Sequence, residues 1–196
     1  MGAHALAPGE KRARRQNALI VFEDESGVSL LPSVRATWAP RGQTPVLRHR
    51  FGWQRLSMAG ALVYEPLGHD AQLVFQLRPG AYNTDLLIEF LAQLHAQVSQ
   101  RSVVLLWDGL PAHRSTRMLG WIASQGDWLR AERLPAYAPE LNPLEQVWGN
   151  LKGRELANLC AESTADVAHV ADTGLTRIGS DASLCLAFLR HTGLYL

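Results

Sequence analysis

The chain of 196 residues has only two cysteines, Cys160 and Cys185, and they do not sit at a metal-ligand spacing. That excludes a disulfide framework and a cysteine-based zinc finger, and suits reduced thiols in a cytosolic protein. No apolar run approaches the length of a membrane span, and Ala18 to Phe22 is too short for the apolar core of a signal peptide. A soluble, intracellular protein without a membrane partner is therefore expected. Excess charge is also lacking: Lys and Arg number 19, Asp and Glu 18, and the net charge is +1. Overall charge thus points to no particular partner. Another absence is local. From Ser26 to Tyr64 there is no acidic residue, while the same span carries Arg35, Arg41, Arg48, Arg50 and Arg55, with His49, Trp38 and Trp53. Basic residues interleaved with tryptophans suit phosphate contact and base stacking; the plainer reading is a solvated arginine-rich loop. The lack of acids over so long a span favours the first.

What is present is globular: 47% hydrophobic and 19% charged residues, enough for one substantial domain. Residues 1–17, with Lys11, Arg12, Arg14 and Arg15 clustered, read as a flexible basic arm, and residues 18–196 as the domain. Ala18 to Phe22 reads as a buried strand running into Glu23, Asp24 and Glu25, with a kink at Gly27. Strand alternation sets Asp24 on the face of Ile20 and Phe22, with Glu23 and Glu25 on the other. Leu56 to Tyr64 and Gln72 to Leu77 read as an antiparallel pair. Thr84 caps a helix to about Ser99, and Val103 to Trp107 is an apolar strand that ends, like the first, at an aspartate, Asp108. A helix over 114–125, a short strand over 131–134 and an acidic helix over 155–171 follow, while residues 173–196 carry little pattern. The order implies an α/β sheet of mixed direction.

Tyr137 to Lys152 reads YAPELNPLEQVWGNLK. Asn142 suits an N-cap and Pro143 the first helical position, and Leu144, Val147, Trp148 and Leu151 form one apolar stripe. Glu145 lies beside that stripe, with Lys152 two turns on. Glu145 has two readings: a capping box closed onto Asn142, or a carboxylate aimed at a site. Asp24 and Asp108 bear on the choice, because ligands gather beyond the carboxyl ends of strands in open α/β sheets. Three clustered carboxylates repel unless cations neutralise them. Mg²⁺, with oxygen ligands and phosphate, is suited to that task, and two such ions about 3.5–4 Å apart serve phosphoryl transfer.

Three stretches carry a resemblance: Phe22-Glu-Asp-Glu-Ser26, Trp107-Asp-Gly-Leu-Pro-Ala-His113, and Ala138-Pro-Glu-Leu-Asn-Pro-Leu-Glu145-Gln-Val-Trp148. In this order, with 36 residues between Asp108 and Glu145, the chain resembles the DDE transposases of the mariner type and their bacterial insertion-sequence relatives. The resemblance implies a ribonuclease-H-like fold, a mixed five-stranded sheet flanked by helices. It implies Asp24, Asp108 and Glu145 as the catalytic triad holding two Mg²⁺ or Mn²⁺ ions, cleaving DNA at transposon ends and joining the freed end to target DNA. Glu23 and Glu25 rival Asp24, but strand parity turns them to the opposite face. His113 reads first as a structural histidine and second as a site residue. Trp38, Arg41, Arg48, Arg50, Arg55 and Lys152 are the expected DNA contacts. Too few residues precede the first strand for the family's helix-turn-helix modules. A separately encoded helix-turn-helix half is therefore expected as partner, with a dimer on DNA in the nucleoid-bearing cytoplasm. The competing reading is an inactive remnant that binds DNA through its basic loop.

Overall fold

The structure, a computed structural model, describes residues 17–49, 52, 54–126 and 128–194. The expected basic arm, apart from Asn17, lies outside the described residues, as do Arg50 and Trp53. The strands are β1 (Leu19–Ser29), β2 (Arg55–Tyr64), β3 (Ala71–Pro79), β4 (Val103–Trp107) and β5 (Leu129–Arg133). The helices are α1 (Thr84–Gln97), α2 (Thr116–Ser124), α3 (Leu144–Arg154), α4 (Thr164–Gly179) and α5 (Ala182–His191).

One five-stranded sheet runs in the order β3-β2-β1-β4-β5. β1 and β3 each pair antiparallel to β2, whereas β4 pairs parallel to β1 and β5 parallel to β4. The expected mixed sheet flanked by helices is what forms. The first three strands are close enough in sequence to meander, and the parallel ones need the α1 and α2 crossovers.

Alternation along the strands splits the core in two. Ile20, Phe22, Met58, Leu62 and Leu106 face α3, α4 and α5, packing with Trp148, Leu151, Leu175 and Phe188. Leu19, Val21, Ala61, Val63 and Leu105 face α1 and α2, packing with Leu87, Phe90, Leu94 and Met118. No helix among the described residues is long and apolar enough to cross a membrane.

Three local expectations change. β1 continues through Gly27, which pairs with Ser57, so the chain does not kink there. The cap of α1 is Asn83, whose side chain accepts from the Leu86 N–H, with Thr84 already helical. The helix expected over 155–171 is broken. Asn158 sits at φ 57°, and its N–H donates to the Ser33 carbonyl at 2.9 Å. Its side chain also accepts from the Arg35 N–H at 2.8 Å, so this segment serves the basic loop instead of a helix ladder. α4 restarts at a capping box between Ser163 and Asp166 and runs past residue 171, and α5 fills the C-terminal stretch.

At Gly60 glycine is required by closeness. A Cβ at Gly60 would lie 2.8 Å from Trp148 Cη2 and 3.1 Å from Leu144 Cδ2. Gly60 pairs with Asp24 across β1 and β2, so its bareness lets the Trp148 ring lie on the sheet beside that carboxylate. Gly60→Ala is expected to cost roughly 1–3 kcal/mol through overpacking, read as a lowered midpoint in urea unfolding.

Candidate active site

The parallel register of β1 and β4 aligns Phe22 with Leu106, so Asp24 and Asp108 each stand two residues beyond that pair. Asp108 directly follows β4, whereas Asp24 lies midway along β1, which does not end at the aspartate but runs on to Ser29. α3 supplies the third acid. Asn142 is the last extended residue before the helix (φ −96°, ψ 110°). Its Oδ1 accepts from the Leu144 N–H at 3.1 Å, and its Nδ2 donates to the Glu23 carbonyl at 3.4 Å. The cap position falls on Pro143 and not, as expected, on Asn142, with Leu144 the first helical residue. Asn142, one residue earlier, accepts from that first N–H and ties the helix start to β1. No capping-box bond from Glu145 to Asn142 forms among the described residues, so that reading of Glu145 gives way to an exposed carboxylate facing outward.

Asp24, Asp108 and Glu145 all line one open cavity of about 760 Å³, together with Arg114, Arg133 and Tyr137. The three carboxylates share the cavity without converging tightly. Among the described residues, the only set of three or more His, Cys, Asp or Glu whose ligand atoms lie within 4.8 Å of one another is Glu23, Glu25 and His113.

Each acid has a different setting. Asp24 Oδ2 accepts from the indole N–H of Trp148 at 2.8 Å. Burial raises the Asp24 carboxyl from 3.8 to about 7; the Trp148 bond opposes this, and the neighbouring Glu145, Glu25 and Asp108 charges add to it. Asp108 Oδ1 accepts from the Leu110 N–H at 2.9 Å and lies 2.9 Å from His113 Nδ1. Lys152, two turns beyond Glu145, donates to Ser26 Oγ at 2.7 Å. Burial lowers its ammonium, while Glu145 and Asp24 hold it up. The cavity therefore sets three carboxylates beside two lining arginines, with the half-buried Lys152 next to Glu145 and Asp24; grouped carboxylate oxygens are the ligands that hard cations take.

Of the expected DNA contacts, Arg41 and Arg48 are exposed on the long segment after β1, where Trp38 is fully exposed, and Arg55 opens β2. None of these lines the cavity. Lys152 lies at the acids, on the same face of α3 as Glu145. Sequence reading passed over four residues. Trp148 looked like core and is 3% exposed, yet its N–H grips Asp24; an apolar stripe carries no sign of that bond. Arg114 and Arg133 reach the cavity from the loop before α2 and the end of β5, and only the parallel β4–β5 pairing brings the latter there. Tyr137, fully exposed with φ 58°, holds a backbone conformation unusual for a tyrosine, a strain often found at binding sites.

Trp148→Phe keeps most of the ring and removes the donor. The Asp24 carboxyl is then expected to titrate above about 7, since the lost bond lowers it. Carboxyl-carbon NMR shifts against pH measure this, and an unmoved titration would refute the bond's role.

No curated protein matches the chain. Solved structures do match. Mos1 transposase in a paired-end complex with the left transposon end superposes with a TM-score of 0.65 at 17% identity, covering 94% of this chain and 55% of that one. The Mos1 mariner paired-end complexes with Mn and with Mg each give 0.64 at 20% identity, over 94% and 56%. The chain therefore spans little more than half the length of these relatives, and likeness at such identity establishes the fold, which is ribonuclease-H-like. A family profile described as DDE superfamily endonuclease matches residues 19–166, most of the chain and all three acids, and the protein belongs to that family.

Proposed function

We propose that this chain is the catalytic part of an insertion-sequence transposase, cutting DNA at transposon ends and transferring the freed strand into target DNA. The observation that carries the reading is the meeting of Asp24, Asp108 and Glu145 in one cavity of a DDE superfamily endonuclease. The donor set fits hard divalent cations: three carboxylates, one raised to about 7 by burial and its acidic neighbours, and no cysteine lining. Two cations about 3.5–4 Å apart also ask for ligands set wider than one ion needs, in keeping with the spread of these acids. When bound, Mg²⁺ or Mn²⁺ would supply Lewis-acid stabilisation of the attacking and leaving oxygens of a phosphodiester.

The chain's own groups do the rest. Asp24 and Asp108 are held from behind by Trp148 and by Leu110 with His113, which leaves their outer lone pairs toward the cavity. Glu145 is aimed by Asn142. Arg114 and Arg133 contact backbone phosphate at the scissile position, and Tyr137 stacks on an unpaired base beside it. The exposed loop with Trp38, Arg41 and Arg48, and Arg55 beside it, holds flanking duplex by phosphate contact, a sequence-independent attraction. Lys152 stays with the acids as their counter-charge and reaches phosphate only at the cavity edge. Residues 18–196 act as this catalytic unit, with residues 1–17 as a basic arm. End recognition resides in a separate helix-turn-helix half, and the active species is a dimer on DNA in the nucleoid. The matched Mos1 structures are paired-end complexes, which supports action on paired DNA ends.

Supercoiled plasmid incubated with the chain tests the proposal. Nicking in Mn²⁺ or Mg²⁺, abolished by chelation, is the expected result. DNA retention without nicking under every metal condition would overturn it in favour of an inactive DNA-binding remnant.

A further inference from the structure

On the opposite face of β1 from Asp24, Glu23, Glu25 and His113 form a second group with its own chemistry. His113 is 2% exposed and stacks on Trp107 at 4.2 Å. Its Nδ1 lies 2.9 Å from Asp108 Oδ1 and 3.2 Å from the Asp108 carbonyl. Both neighbours are acceptors, so Nδ1 carries the proton. The other nitrogen, Nε2, then faces Glu25 Oε1 at 3.3 Å and Glu23 Oε2 at 3.7 Å.

A proton on Nε2 could serve only one of those oxygens. Glu23 is 1% exposed, and both its oxygens, with Glu25 Oε2, are buried without a hydrogen-bond partner among the described residues. A buried carboxyl with neither oxygen hydrogen-bonded is costly, and once ionised it calls for positive charge at this point. The spacing suits a metal: ligands about 2.0–2.1 Å from a tetrahedral ion stand roughly 3.3–3.4 Å apart, close to the two separations from Nε2. A metal-bound imidazole also characteristically donates its other N–H to a carboxylate, which is the place Asp108 occupies.

We propose that Glu23, Glu25 and His113 Nε2 form a binding site for one divalent transition ion, Zn²⁺ by preference, separate from the triad cavity. Two carboxylates and one imidazole are the borderline ligand set that favours zinc over magnesium, and the partly exposed Glu25 gives access for the ion and a water as fourth ligand. Binding there fixes the His113 ring and, through Nδ1–H, the orientation of Asp108. The ion is structural with respect to the reacting atoms, and His113 is a positioning residue.

The test is equilibrium dialysis of the metal-free 196-residue chain against Zn²⁺, using an Asp24→Asn/Glu145→Gln background to disable the other cavity. Because this background lacks two triad acids, the outcome does not depend on whether the triad reading is right. One equivalent of Zn²⁺ retained there, and weakened about 10- to 100-fold by adding Glu23→Gln, is the expected result. No saturable binding in the background, or binding unchanged by Glu23→Gln, would overturn the proposal. Circular dichroism checks folding. Should Glu23→Gln fail to fold, Glu25→Gln at the exposed edge carries the same expectation. Co²⁺ on the unaltered chain adds an independent readout: visible d–d bands of a four-coordinate ion support the site, and a spectrum like that of aqueous Co²⁺ overturns it.

Discussion

Asp108→Asn is expected to lower Mn²⁺-dependent plasmid nicking by about 10²- to 10³-fold or more, the scale seen when one preorganised electrostatic group is removed, while DNA retention stays unchanged. The local bonds make this substitution unusually clean. Asp108 Oδ1 accepts from the Leu110 N–H and lies 2.9 Å from His113 Nδ1, whose own hydrogen bond goes to the Asp108 carbonyl. An amide introduced here must keep its oxygen toward the Leu110 N–H, since turning its NH₂ there would set donor against donor. The NH₂ is thereby forced into the cavity, where a cation ligand would otherwise stand. Shape and backbone persist; charge and lone pair are lost. Gel-shift binding measured beside nicking separates the two effects, and equal cleavage by wild type and variant would sink the site.

Metal-free protein is expected to lose stability as pH rises from about 4 to about 7. The Asp24 carboxyl is raised in the folded state from 3.8 to about 7, so between those values the folded chain keeps a proton that the unfolded chain has released. Stability then falls with rising pH, by roughly 4 kcal/mol at most for a shift of this size. Glu23, raised by burial first and then by Glu25, Asp24 and Asp108, acts in the same direction. So does His113: burial opposes its charge, yet the bond to Glu25 and the Glu25 and Asp108 charges raise it overall, and the resulting stability is lost as pH climbs through its folded value. Divalent cations bind the ionised carboxylates of the folded state alone and restore stability by mass action. Urea unfolding at pH 4.5 and 7.5, with and without Mn²⁺, checks this. A metal-free protein more stable at pH 7.5 than at 4.5 would contradict the charge arrangement described.

Much of the architecture was legible because it rests on local signals. The apolar runs at Ile20 and Val103 mark buried strands, and period-two alternation separates Asp24 from Glu23 and Glu25; that the two strands are parallel neighbours and that β1 runs on past Asp24 to Ser29 was not legible. The Asn142-Pro143 start of α3 is likewise written in side-chain chemistry and fixed φ. The break at residues 155–163 was not legible. Its cause is the Asn158 bonds to Ser33 and Arg35, partners more than 120 residues away. Trp148 hid for the same reason: helical spacing explains its burial and is silent about where its N–H points.

By itself the sequence determined the strand order along the chain, the face on which Asp24 stands and the element that presents Glu145. These depend on pleat, turn and cap, which act between near neighbours. Only the tertiary structure decided that Asp24 and Asp108 stand side by side in register, that Gly60 makes room for the Trp148 grip on Asp24, and that His113 joins Asp108 to two buried glutamates. Those are matters of packing across the sheet, where angstrom distances between residues remote in sequence set the chemistry.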